Sequence, residues 1–474
     1  RGNLHAQLGQ HTQALADYTQ ALALAPQHAD CHNNRGLSQQ AVGDYAGACA
    51  SYAQAIALRP AFAEAHYNQG NALQKLGRYA EAVASYQRSI ALRPQHPDAW
   101  CNLGVAQGEL GEIEAALASY DRAIALRQGF AQAHYQRGNL LYRHQRVADA
   151  IASYDQAIAQ QPDFDDAQWN KSLALLLLGN FAEGWALYEG RWSLPGFSTP
   201  KRDFGVPQWR GDFSLRGRRI LLHSEQGLGD TLQFCRYGTL LAEQGAEVIL
   251  EVPAELVSLC ASLPGVSQVV PWGRPLPVLD AHCPLLSLPL ACGTRLESIP
   301  AFPSYLFASE AAKAIWAERL GPASALRVGL VWRGSPSHRG NHKRSIPLAT
   351  LLSHLPRGPE YLCLQQEIDQ SERALLSTRP DVRLFPGLLT DFAATAALCA
   401  HLDLVISIDT SVVHLAAALG RTTWILLPYA PDWRWLLQRD DSPWYPSVRL
   451  FRQENEGQWA AALQALGEAL AGRC

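Results

Sequence analysis

Three short stretches in the second half of this 474-residue chain gather residues able to hold a phosphorylated ligand or move a proton. In His223-Ser-Glu-Gln-Gly227-Leu-Gly229-Asp230-Thr231, two glycines permit a tight turn in which backbone approaches a ligand closely. A helix starting there favours a negative group at its N-terminus, either a ligand oxyanion or Asp230 itself as a cap. In Asp409-Thr410-Ser411-Val412-Val413-His414, a helix start offers backbone N–H groups and hydroxyls to a phosphate. His414 falls one turn on, on the side of Thr410 and Ser411; the alternative makes Asp409 a cap and His414 a satisfied surface residue. The third stretch, Trp332 to Pro347, places His338, His342, Lys343 and Arg344 on one loop. Cations aimed at a pyrophosphate would stabilise a departing nucleoside diphosphate in place of a metal, and a solvated loop is the alternative. No Asp-x-Asp stands at a suitable strand end and no cysteine or histidine cluster has ligand spacing, so neither metal nor cofactor is expected.

These stretches need strand ends to hold them. Apolar runs of strand length occur at 220–223, 247–252, 267–270, 326–332, 361–364 and 403–408, each followed by an amphipathic segment. Such alternation predicts parallel sheets with helices on both faces, and ligands bind at the carboxyl ends of those strands. Two Rossmann-like lobes are expected, 218–305 and 306–474, after a Pro- and Gly-rich linker at 193–217. His282 follows a first-lobe strand, where it lines the acceptor side or packs in the core. The block around Trp433, with Arg434 beside it, either meets a ligand or packs the cleft.

Residues 1–192 read differently. Pro26, Pro60, Pro94 and Pro162 lie 34 residues apart or a multiple of it, as do Gly36, Gly70, Gly104 and Gly138. A period of that length predicts stacked helical hairpins, none able to bury its apolar face alone. Five amides keep the same phase: Asn34, Asn68, Asn102, Gln136 and Asn170. Asparagine is a mediocre helix former, so the column needs a reason. Either it pairs with the backbone of an extended peptide, or it bonds between repeats.

A net charge of −3 without a basic stripe argues against a nucleic-acid partner. No signal peptide is visible after Arg1, no apolar run reaches the roughly 18 residues of a membrane span, and ten scattered cysteines suit a reducing cytoplasm. The chain has no methionine, for which we have no functional account.

The N-terminal pattern resembles the tetratricopeptide repeat (TPR), and its amide column resembles the asparagine ladder of protein O-GlcNAc transferases. GLGDTLQF, KRSIPL and DTSVVHLAAALG, in that order, resemble glycosyltransferase family nine, known from ADP-heptose:lipopolysaccharide heptosyltransferases. The resemblance implies a TPR superhelix followed by an α/β module of GT-B fold, in a bacterial protein. It implies an inverting, metal-independent transfer of sugar from a nucleotide sugar to an acceptor. Asp230 takes the place of the family's base and Arg344, with Lys343, that of its phosphate clamp. Gly227, Gly229, Asp409, Thr410, Ser411 and His414 match the donor-binding stretches. The chain has Ser411 where the family commonly has glycine, and Leu-Leu-Pro-Tyr429 where it tends to have Gly-Pro-Thr. The repeats then recruit a protein or peptide acceptor. The alternatives are an inactive interaction scaffold and a saccharide- or lipopolysaccharide-directed transferase.

Overall fold

The computed structural model describes residues 1–197, 199–336 and 340–473, so His338 lies outside the described residues. It divides into two compact units, Arg1–Lys171 and Ser172–Cys474.

The first unit is a TPR stack. Ala29–Ala41 pairs with Tyr45–Leu58, Ala63–Lys75 with Tyr79–Leu92, Pro97–Glu109 with Ile113–Leu126, and Ala131–Arg143 with Val147–Gln160. The small residues that mark the period are the crossing points. A Cβ at Gly36, Gly70, Gly104 or Gly138 would lie 2.5 to 2.8 Å from the ring of Tyr52, Tyr86, Tyr120 or Tyr154. Ala48, Ala82, Ala116 and Ala150 are wholly buried at the neighbouring contact. Close packing leaves no room there for a larger side chain.

The second unit contains two all-parallel sheets. The first runs β3-β2-β1-β4, with β1 Arg219–His223, β2 Glu247–Val252, β3 Val266–Pro271 and β4 Ala281–Pro284. The second runs β10-β9-β8-β5-β6-β7. Its strands are β5 Arg327–Val331, β6 Glu360–Cys363, β7 Val382–Arg383, β8 Leu404–Ile408, β9 Thr423–Leu427 and β10 Val448–Arg452. Strands β1, β5, β8 and β9 are buried along almost their whole length, which is why they read as unbroken apolar runs. This is the two-lobed α/β arrangement of a GT-B-like module.

The units divide at Lys171/Ser172, earlier than residue 192, for a physical reason. Helix Phe181–Tyr188 and the turn Glu189–Ser193 bury Trp185 and Arg191 among second-unit side chains. The Trp185 ring lies 5.0 Å from that of Trp433, edge-on, and Arg191 forks onto Glu225. Residues 193–217 are not a free spacer either. The Trp209 N–H donates to the His282 carbonyl (2.8 Å) and the His282 N–H to that of Pro207 (3.1 Å), so this segment extends the first sheet beyond β4. Arg202 is tied to the buried Glu251 at 2.5 Å.

Candidate active site

In each sheet the strand order reverses beside one strand: between β1 and β4 in the first, between β5 and β8 in the second. Crevices at the carboxyl ends of such strands take ligands in open α/β sheets. The loops after β1, β5 and β8 carry the three stretches singled out by sequence.

After β1 the chain turns through Gln226, whose φ of +61° is left-handed, while Gly227 has a φ of −83°. The strained position is therefore a glutamine, and the glycines are small for another purpose. A Cβ on Gly229 would sit 3.0 Å from the His414 ring, so this glycine lets helix Leu228–Phe234 lie against helix Ser411–Ala418 of the other lobe. Asp230 does act as a cap, its Oδ2 accepting the Gly227 N–H at 2.9 Å. Its other oxygen pairs with Arg434, which reaches over from the second lobe. Arg434 also donates to Gln233 (2.7 Å) and Asp432 (2.9 Å). Burial opposes the charge on Arg434, but Asp432 and Asp230 more than offset it and raise its pKa. Asp230 keeps 20% of its side-chain surface open, enough to meet a ligand.

After β8, Thr410 caps helix Ser411–Ala418 in extended backbone, with its hydroxyl 3.3 Å from Ser407 Oγ. Thr410 and Ser411 remain partly exposed at the helix start. Arg344 donates to the Asp409 carbonyl at 2.8 Å, and its Nε is buried without a partner among the described residues. Gly334 makes room for it, because a Cβ there would lie 2.7 Å from the guanidinium. A cation with an unused donor beside a helix start is suited to an anion.

Burial, and then the neighbouring Asp432, push the Asp409 carboxyl up to about 6 against the pull of a hydrogen bond from Trp435 and of Arg344 and Arg434. The native state thus binds this proton more tightly than the unfolded chain, so its contribution to stability is full below about pH 4. That contribution is lost as pH rises through about 6. Asp409→Asn should flatten the pH dependence of the second unit's urea midpoint between pH 4 and 7. An unchanged slope would show that Asp409 titrates normally.

The remaining predicted residues lie as follows. His414 is 5% exposed, bonded to the Tyr445 hydroxyl (2.9 Å) and stacked on Trp435, and burial with Arg434 and Arg236 holds it neutral. It packs the junction of the lobes and is not a surface residue. Lys343 points to Glu456 at 3.0 Å, away from the Asp409 carbonyl that Arg344 holds. His282 is buried against His223 (3.2 Å) under Phe204, in the core of the first lobe. Trp433 lies in a buried aromatic cluster with Trp185, Tyr188, Phe234 and Trp444. Arg236, missed in the sequence, is fully buried and ties the lobes by donating to the Trp444 carbonyl (2.5 Å), while it also donates to the Tyr305 hydroxyl of its own lobe (2.9 Å). A cavity of about 250 Å³, also missed, opens at the carboxyl ends of β6 and β7, lined by Cys363, Gln365, Arg373, Phe385 and Thr390.

In the repeat unit the amides bond between repeats. Asn34 donates to Asn3, Asn68 to Asn33, Asn102 to Asn71 and Asn170 to Asn139, at 2.8 to 3.1 Å. Gln136 alone of the five makes no such bond among the described residues, and it lines a cavity. The expected peptide ladder is therefore largely spent on internal contacts.

Both parts of the chain match known proteins, and the repeat match runs past the boundary between the units, to residue 190. Residues 2–145 match the TPR repeat in four overlapping segments, and 135–190 match the tetratricopeptide repeat again. Residues 363–456 match glycosyltransferase family 9 (heptosyltransferase). The chain joins tetratricopeptide repeats to a family 9 glycosyltransferase domain. That match contains β8, Asp409 to His414 and Arg434, while Asp230 and Arg344 precede it. Protein FlbA of Caulobacter vibrioides is 29% identical over 329 residues, covering 63% of this chain and 54% of FlbA, so the chain spans about half the length of that curated relative. Among solved structures, MamA is 24% identical over 34% of this chain and 94% of its own, with a TM-score of 0.33. The pilus biogenesis factor PilW is 23% identical over 41% and 88%, with a TM-score of 0.38. YrrB, a TPR protein with an unusual peptide-binding site, is 22% identical over 36% and 89%, with a TM-score of 0.32. No described helix is long and apolar enough to cross a membrane.

Proposed function

We propose that the second unit is an inverting, metal-independent glycosyltransferase using a nucleotide sugar, and that the repeats recruit its protein or peptide acceptor. The observation carrying this reading is the meeting of Asp230 from one lobe with Arg434 from the other, beside the helix start at Thr410 and Ser411. The diphosphate lies on that helix start and on Arg344. The nucleoside extends two strands along the sheet edge, into the cavity by Gln365 and Phe385. Asp230 takes the acceptor's hydroxyl proton as the acceptor oxygen bonds to the sugar's anomeric carbon. The bond from that carbon to the diphosphate breaks on the opposite face, and the leaving charge settles on Arg344 and the helix dipole. A carboxylate has about four lone-pair sites. On Asp230, Gly227 and Arg434 are among the donors that address those sites, and the side chain keeps part of its surface open to an acceptor.

That same pairing, with His414 packed on Gly229, also favours a second reading, an inactive module closed on itself. Thermal unfolding with ADP-, GDP-, UDP- and CMP-linked sugars separates the two. A ligand at 100 times its Kd adds about 2.7 kcal/mol, and Arg344→Ala should abolish the rise. A melting temperature unmoved by all four donors would end the enzyme reading.

A further inference from the structure

We infer that the repeat unit holds a side-chain pocket between its third and fourth complete hairpins, built for the carboxamide of an asparagine or glutamine from a partner protein.

The stack alternates with a 68-residue period that the 34-residue repeat conceals. Asn3, Asn71 and Asn139 each accept the hydroxyl of a buried tyrosine, Tyr18, Tyr86 or Tyr154, at 2.8 to 2.9 Å. Each also accepts the amide of the next repeat's Asn34, Asn102 or Asn170. In the intervening repeats the same position is Leu37 or Val105, which accept nothing. Around Leu37 the loss is made good: Tyr52 turns to Gln40 (3.2 Å) and Asn68 to Asn33 (3.1 Å). Around Val105 it is not, because the equivalents of Gln40 and Asn33 are Gly108 and Cys101.

Tyr120, only 2% exposed, and Gln136 are consequently without hydrogen-bond partners among the described residues. Where Tyr18, Tyr52, Tyr86 and Tyr154 each spend the hydroxyl on a neighbouring amide, that of Tyr120 opens onto a cavity and is available to a partner from outside. Both residues face a cavity of about 260 Å³, whose walls include Val105 and Leu140 and whose rim carries Glu109 and Arg143. Roughly 30 Å³ suffices for one water, so a side chain fits. The hydroxyl and the carboxamide each donate and accept, and a guest carboxamide does the same. Glu109 and Arg143 pair at 2.7 Å on the rim, so no net charge there attracts an ionised guest, and the Arg143 Nε–H, without a partner among the described residues, suits the carbonyl oxygen of a guest carboxamide. Val105 and Leu140 suit the methylenes of the guest. The inference rests on the repeats binding a partner, and is independent of sugar transfer.

The test uses the full chain labelled with 3-fluorotyrosine, the Tyr120 ¹⁹F line being assigned by its loss in Tyr120→Phe. Titration with N-acetylglutaminamide should move that line saturably, and N-acetylleucinamide and the N-acetylglutamate amide should not. Val105→Asn restores the alternating acceptor, so it should abolish the shift and raise the melting temperature by about 2 °C. Four outcomes would each overturn the proposal: no shift up to the solubility limit, an equal shift with the leucine compound, an equal shift with the glutamate compound, or a Val105→Asn chain that melts lower.

Discussion

Replacing Arg191 by methionine should cost the second unit about 3–5 kcal/mol, because it strands a carboxylate inside the protein. Arg191 and Glu225 are both wholly buried and joined by two hydrogen bonds, and Arg191 also donates to Ser287, Glu189 and the Tyr188 carbonyl. Burial already pushes the Glu225 carboxyl up against the pull of Arg191, so without the arginine its proton must be kept. The loss should deepen as pH rises through the carboxylate range, since a group with a raised native pKa stabilises less once its proton leaves. Arg191→Met with Glu225→Gln leaves no charge behind and should recover most of the difference. Urea unfolding followed by tryptophan fluorescence measures this in the right unit, because all but Trp100 and Trp169 of the thirteen tryptophans lie there. Equal midpoints for the single and double variants would mean that the pair is not buried in solution. The consequence reaches the site, because Glu225 is followed by the strained Gln226 and by Gly227, which Asp230 caps.

The largest effect on activity should come from Asp230→Asn. Removing a positioned general base typically costs 10²- to 10⁴-fold in rate, and the donor site proposed at Thr410, Ser411 and Arg344 does not involve this carboxylate. Transfer should therefore fall by at least about a hundredfold. Binding of a nucleoside diphosphate, read by calorimetry, should stay within about a factor of two. Full activity in the variant would remove Asp230 from the chemistry. Lost binding would mean that its pairing with Arg434 holds the lobes together and does no more.

What the sequence made legible follows from how far each signal reaches along the chain. The repeat stack is visible because its glycines and alanines meet partners 16 residues or one period away, and each contact recurs. Strands β1, β2, β5 and β8 are legible because burial on both faces leaves an unbroken apolar text. Strand β7 is two residues long, and the one-residue alternation of Val448–Arg452 marks β10 only faintly. The ion pair between Asp230 and Arg434 spans 204 residues, and no local spacing announces it. Arg191 and Arg236 carry charges that ordinarily lie at the surface, so their burial shows only once the partners are known. His414 misled for the converse reason: on the helix it follows Thr410 and Ser411, but Tyr445 and Trp435 from a later loop enclose it. The amide column was in plain view, yet its meaning lay three residues along, where Asn3, Asn71 and Asn139 alternate with Leu37 and Val105.

The most direct test of the central claim is a crystal structure of the full chain saturated in turn with ADP, GDP, UDP and CDP. The phosphates of the nucleotide that binds should lie within hydrogen-bonding distance of the Ser411 N–H and of Arg344, its base by Gln365 and Phe385, and Asp230 should face the terminal phosphate across the crevice. A diphosphate bound away from Ser411, or crystals that admit none of the four, would contradict the account.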